Sequence, residues 1–216
     1  MQTMNFRINP FLFAGIIAIA ACKKKDNIPP SIILNGGDVV ISFGTAYADA
    51  GATGRDDNDG DISSKILITG MPDGKTAGVF YIKYNVSDAA GNTAEEATRK
   101  VTVSFTGVQL SGLYNAYDTC GSANTPLAYA ANLLQSGNLY QFQIANMNNV
   151  QNSTVFVNVN GNLLSIGPQP LGTGTSPPTV SGNGMVTKYG TQNAIRLYYT
   201  ITTGTSSSPC RGTYSK

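Results

Sequence analysis

From Pro29 to Lys216, short runs rich in Val, Ile, Tyr and Phe are cut by clusters of Gly, Asn, Asp, Ser and Thr. A chain broken this often cannot build the long amphipathic helices of a bundle, whereas a strand needs only about 4–8 residues between turns. Charged residues are 12% of the chain, and the Glu, Lys, Leu and Ala that fill helix faces never gather at helical spacing. The pattern predicts an all-β protein. The runs Ser31–Leu34, Val39–Phe43, Lys65–Thr69, Val79–Val86 and Arg99–Phe105 read as strands. In the last of these Val101, Val103 and Phe105 share one face. The segment Ser87–Asn92 reads as a hairpin loop.

The first residues are of another kind. Arg7 precedes the apolar stretch Phe11–Ala21, which is too short to span a bilayer (about 20 residues) but suits the h-region of an export signal. Ile19-Ala20-Ala21-Cys22 resembles the lipobox of bacterial lipoproteins. The resemblance implies cleavage before Cys22, acylation of that cysteine and a membrane as partner. Residues 1–21 would then be signal, and residues 22–28 anchor and tether. The other reading is an ordinary secretory signal with an incidental cysteine. Lys23 directly after Cys22 resembles lipoproteins sorted to the outer membrane, and leaves open which face the protein occupies. The tether ends in Pro29-Pro30, a stiff extended step.

Charge divides the rest. Between Asp26 and Gly107 there are 11 acidic and 6 basic residues. From Val108 onward Asp118 stands alone against Lys188, Arg196, Arg211 and Lys216. The shift predicts two domains, residues 29–105 and 109–216, joined by Thr106-Gly107-Val108, a linker short enough for the domains to pack. No basic stripe follows an element, so nucleic acid is not an expected partner. The chain has no His, which excludes a Ser-His-Asp triad, a Cys-His pair and the usual zinc sites.

The motifs of the first domain come in a set order: Pro29-Pro-Ser-Ile-Ile-Leu-Asn-Gly36, Gly44-Thr-Ala-Tyr47-Ala-Asp49-Ala-Gly51, Asp59-Gly60-Asp61-Ile62-Ser63, Gly78-Val-Phe-Tyr81 through Gly91-Asn92, and Arg99-Lys-Val-Thr-Val103. This succession resembles the Ig-like domain of bacterial surface proteins, akin to hyalin repeats. The resemblance implies an Ig-like β-sandwich at the cell surface, often a spacer, and no catalysis. Tyr47 and Asp49 read as structural. The acidic run containing Asp56, Asp57, Asp59 and Asp61 offers hard oxygen ligands of the kind calcium prefers, and is the one candidate cofactor site. It lacks the spacing of an EF-hand, and the competing reading is a solvated turn whose carboxylates cap backbone amides.

The second domain predicts seven or eight antiparallel strands, as a meander, a sandwich or a small barrel. Tyr140, Phe142 and Ile144 alternate toward one face. Asn160-Gly161 predicts a type I′ turn between two strands, and Val180–Tyr189 with Ala194–Thr202 predicts another hairpin. Tyr114–Cys120 and Cys210–Ser215 read as first and last strands. Cys120 and Cys210 are expected to pair in an oxidising compartment, the alternative being two buried thiols. The spacing loosely resembles compact, in part lipocalin-like, β domains of bacterial surface lipoproteins, a resemblance that implies no function. Tyr114, Tyr117, Tyr189 and Tyr198 are candidate ligand contacts, because an exposed Tyr beside amides can stack on a sugar. Half-buried strand residues are the alternative.

Three functions remain: a non-catalytic surface protein binding a glycan or another extracellular ligand, an assembly protein working through contacts with surface proteins, and a carboxylate-pair glycosidase. With one acid in the second domain, the glycosidase has least support, and the chain is not expected to be an enzyme.

Overall fold

The computed structural model describes residues 25–216 apart from 123–124 and 190–191, and leaves the side chains of residues 188 and 189 undescribed. Cys22, the export signal and the side chain of Tyr189 therefore lie outside the described residues. Among the described residues no helix is long and apolar enough to cross a membrane.

The N-terminal strands are β1 (Ser31–Leu34), β2 (Val39–Ser42), β3 (Ala52–Asp56), β4 (Gly60–Asp61), β5 (Leu67–Thr69), β6 (Gly78–Asn85) and β7 (Ala97–Ser104). They form two sheets, β1-β3-β4 and β2-β7-β6-β5, with β2 running parallel to β7. Ile82, Tyr84 and Val101 of the larger sheet are fully buried against Ile32 and Leu34 of β1 and Ala52 of β3. The expected sandwich is therefore present. β3 escapes the sequence pattern because Gly54 and Asp56, not apolar residues, are its buried positions. β7 departs from simple alternation as well. Thr102 and Ser104 are as buried as Val101 and Val103, because the end of this strand runs into the second unit.

A one-turn helix, α1 (Gly107–Leu110), makes the connection. Thr106 caps it, and the Gln109 side chain closes a capping box. Gln109 Nε2 also donates to the carbonyl of Phe43 at 2.8 Å, and the rings of Phe43 and Phe105 stack with centroids 4.6 Å apart. The linker is thus packed on both sides.

The remaining strands are β8 (Gly112–Cys120), β9 (Leu127–Gln135), β10 (Gln141–Ala145), β11 (Thr154–Asn160), β12 (Leu163–Pro170), β13 (Thr179–Tyr189), β14 (Gln192–Thr203) and β15 (Ser206–Ser215). Each pairs antiparallel with the next, and β15 pairs with β8, so the meander closes into an eight-stranded barrel. Closure selects the barrel among the three expected forms and removes the open edges. Inward positions from all eight strands fill it, including Tyr114, Leu133, Phe142, Val157, Leu164, Val186, Leu197 and Tyr214. β9 had no strand signal, since Leu127-Ala-Tyr-Ala-Ala-Asn-Leu-Leu-Gln135 is rich in helix formers. Two partner strands override that local preference.

The β11–β12 turn is a correction. Asn160 pairs with Leu163, so the two loop residues are Gly161 and Asn162, and of these only Gly161 has positive φ (66°). A type I′ turn needs positive φ at both. The tip is shaped by docking on the sandwich. Gly161 N–H donates to Ser104 Oγ at 3.0 Å, its carbonyl accepts from Phe105 N–H at 3.1 Å, and a Cβ on Gly161 would press on Gly78 Cα.

Candidate functional site

Strand parity sorts the candidate tyrosines. On β8, Tyr114, Ala116 and Asp118 point into the barrel, while Leu113, Asn115 and Tyr117 point out. Tyr114 is 2% exposed, and its hydroxyl donates to the carbonyl of Leu110 at 2.9 Å. Burial pushes its pKa up to about 12. Tyr114 is therefore a core residue and not a ligand contact, a correction to the sequence reading. Alternation alone could not decide which face of β8 turns inward, because each carries both apolar and polar residues.

Tyr117 and Tyr198 are about half exposed on the outer wall. Asn183, Tyr198, Arg211 and Thr119 are successive cross-strand partners on β13, β14, β15 and β8. In the adjoining outward row Arg196, Thr213 and Tyr117 follow one another. The guanidinium of Arg211 lies over the Tyr198 ring, 5.8 Å from its centroid. Ser181 and Thr200 extend the first row into a groove of about 750 Å³. Among the described residues neither Arg196 nor Arg211 has an ion-pair partner. Asp118 is the single acid after residue 107, and it is inside, so no carboxylate side chain of the barrel faces this groove. The groove joins one aromatic platform, one guanidinium and several hydroxyl and amide groups.

Behind that wall lies a polar cluster that the sequence did not signal. Asp118 is 2% exposed and accepts from Tyr129 Oη at 2.6 Å. Tyr129 in turn meets Tyr214 Oη at 3.1 Å and accepts the backbone N–H of Asn148 at 2.8 Å. Gly212 is required here, because a Cβ would collide with Asp118 Oδ1. The loop carrying Asn148 sits at the barrel end, with Met147 fully buried and Asn146, Asn148, Asn149 and Asn152 in left-handed backbone conformation. Burial raises the Asp118 pKa, and the tyrosine and Asn148 hydrogen bonds offset only part of that. The carboxyl is enclosed within the barrel wall and bonded to its own fold.

The raised value has a testable sign. The stability Asp118 contributes is full below the ordinary carboxylate pKa and is lost as pH rises through its raised folded value. Asp118→Asn removes this titration. Denaturant midpoints should show the wild type losing stability relative to the variant as pH rises above the ordinary carboxylate range. A difference that stays flat with pH would mean that Asp118 does not titrate in the fold as described.

Cys120 and Cys210 are directly opposed on the β8–β15 seam and are joined by a disulfide, with their Cα atoms 4.1 Å apart. The bond sits where the barrel closes.

The acidic run of the sandwich is not one site, another correction. Gly60 reverses the chain between β3 and β4, and the side chains separate. Asp61 accepts the Ser63 hydroxyl at 2.6 Å and its N–H at 2.9 Å, and these two bonds lower its pKa. Asp59 accepts the N–H of Ala89 at 2.6 Å and faces Lys65 at 3.6 Å. Asp57 is exposed. Asp56 alone turns inward, where it meets Asp26, ahead of β1, and Asp88 of the β6–β7 loop. One carboxylate oxygen from each lies within 4.8 Å of the others. Local sequence spacing could not show this, because the three acids come from three separate turns.

Comparison with known proteins bears on the sandwich. Residues 32–103 match the family model described as the bacterial surface protein Ig-like domain. No curated protein matches the chain. Among solved structures, a lipoprotein of Bacteroides thetaiotaomicron aligns at 15% identity over 85% of this chain and 98% of that one, with a TM-score of 0.34. A Bacteroides ovatus protein of unknown function aligns at 13% identity over 86% and 93%, with a TM-score of 0.35. Likeness at that level says nothing of what is bound. Residues 32–103 are thus similar to the Ig-like domain of bacterial surface proteins, and an eight-stranded barrel follows them.

Proposed function

We propose that this protein is a non-catalytic lipoprotein of the cell envelope, anchored through Cys22 in the outer membrane, whose Ig-like domain carries a glycan-binding barrel. The groove over β13, β14, β15 and β8 supports the binding reading. Its tyrosine stacks with a guanidinium, its hydroxyl and amide groups suit sugar hydroxyls, and no carboxylate side chain repels an anion there. Unpaired Arg196 and Arg211 favour sugars bearing carboxylate or sulfate over neutral ones.

The test is a glycan array probed with the full chain in detergent. Acidic polysaccharides should bind, and Tyr198→Ala and Arg211→Ala should each weaken binding at least about tenfold, the range for losing one desolvated aromatic or charged contact. Tyr81→Ala, on the outer face of the sandwich, should leave binding unchanged. Absence of binding, or binding that survives both groove substitutions, would sink the reading. One observation favours an assembly role in that event. β5 is an edge strand with Leu67 63% and Ile68 36% exposed, a surface on which a partner strand can pair.

A further inference from the structure

We propose that Asp26, Asp56 and Asp88 bind one calcium ion, which fastens the membrane tether to the lower end of the sandwich. This inference is independent of the glycan reading. Three acids from three distant segments converge: Asp26 lies before β1, Asp56 at the end of β3, and Asp88 in the loop between β6 and β7. A carboxylate cluster is not by itself a site, and Asp56 supplies the second observation. Its residue is 9% exposed. Its Oδ1 accepts the N–H groups of Asn58 at 3.0 Å and Asp59 at 2.8 Å, whereas its Oδ2 is buried with no hydrogen-bond donor, and one oxygen of this carboxyl stands within 4.8 Å of one from each of the other two. A buried carboxylate oxygen without a donor calls for a cation or a proton.

The rest of the site is held in place for such a role. Asp88 is fixed by Asn92, whose backbone N–H donates at 2.8 Å and whose side chain donates at 2.7 Å. The same Asn92 amide reaches the backbone carbonyl of Asp26 at 3.4 Å, and Asp26 Oδ1 accepts the N–H of Ile28 at 3.0 Å. All the offered ligands are oxygens, the chain has no His, and Cys120 and Cys210 are bonded to each other, so a hard cation is selected. The three oxygens lie within 4.8 Å of one another, close enough for a single calcium ion, whose oxygen ligands stand at about 2.3–2.6 Å, to touch all of them. A cavity of about 320 Å³ bordered by Asp26, Asn27, Asp57 and Asn58 adjoins the cluster and leaves room for water ligands.

The test uses the full chain in detergent, stripped with EGTA and then titrated with calcium chloride alone. Calorimetry should find one ion per chain. Saturating calcium should raise the unfolding midpoint by about 5 °C or more and slow tryptic cleavage after Lys25 at least about fivefold. Asp26→Asn lies outside both sheets and leaves the fold intact. It and Asp88→Asn should each weaken calcium binding tenfold or more, while Asp61→Asn should not. No heat and no midpoint shift at millimolar calcium would overturn the proposal. So would a calcium response that survives Asp26→Asn and disappears in Asp61→Asn, which would return the site to the contiguous acidic run.

Discussion

Asp49→Ala is expected to destabilise the Ig-like domain by about 3–5 kcal/mol, because it leaves a buried guanidinium without its counter-charge. The Arg99 side chain is 1% exposed and that of Asp49 5% exposed, and the two form an ion pair in the heart of the sandwich. Asp49 also accepts Tyr47 Oη at 2.9 Å, Tyr84 Oη at 2.8 Å and the N–H of Gly51 at 2.9 Å. Arg99 Nη2 donates to the carbonyls of Asn35 at 2.8 Å and Gly51 at 3.0 Å. Burial alone would raise the Asp49 pKa. The tyrosine and backbone hydrogen bonds and Arg99 outweigh it and hold the carboxyl below its usual range. The stability it contributes is therefore present above the ordinary carboxylate pKa and is lost as pH falls through the lowered one. Asp38→Ala is the control. Its partner Lys100 lies 3.6 Å away with both side chains about half exposed, and its loss should cost under about 1 kcal/mol. Equal denaturation midpoints for the two variants would show that the buried pair does not hold the sheets together. Asp49→Leu combined with Arg99→Met should cost less than Asp49→Ala alone, because no orphan charge remains.

Replacing both Cys120 and Cys210 by alanine should cost the barrel about 4–5 kcal/mol, the chain-entropy value for a cross-link across a separation of 90 residues. The effect is concentrated at one seam. β15 and β8 are the last and first strands of the barrel, and every other strand pair is joined by a short connection. Without the bond, closure depends on ladder hydrogen bonds and on the inward packing of Tyr214, Tyr199 and Ala116 alone. Guanidinium unfolding of the wild type with and without reductant should reproduce most of the difference. Thiol titration of the denatured chain should rise by two on reduction. No rise, or no loss of stability on reduction, would contradict the bond.

Much of this architecture was legible because strand signals are local. The alternation of Phe142 with Ile144 has a single physical reading, a pleat with its apolar face turned inward. What escaped is what depends on distant partners. Closure of the barrel is set by β15 meeting β8, which no local pattern encodes, although the placing of Cys120 and Cys210 in first and last strands hinted at it. The inward turn of Tyr114 depends on parity within a strand whose buried face carries an aspartate. The acidic run looked like one site because its residues are consecutive, yet a reversal at Gly60 sends Asp59 and Asp61 to cap backbone and leaves Asp56 to meet acids from elsewhere. Asp118 stands out in the sequence only as the single acid of the second domain, and nothing local marks the tyrosines that enclose it.

The packed linker has a mechanical consequence. Thr106 and Gln109 fix the one-turn helix, and the β11–β12 tip is bonded to Ser104 and Phe105, so the two units share three points of attachment. Contacts on both sides of the linker restrain bending at the junction. Drag on anything held by the outer wall of the barrel therefore reaches the Ig-like domain as torque instead of being dissipated at a joint.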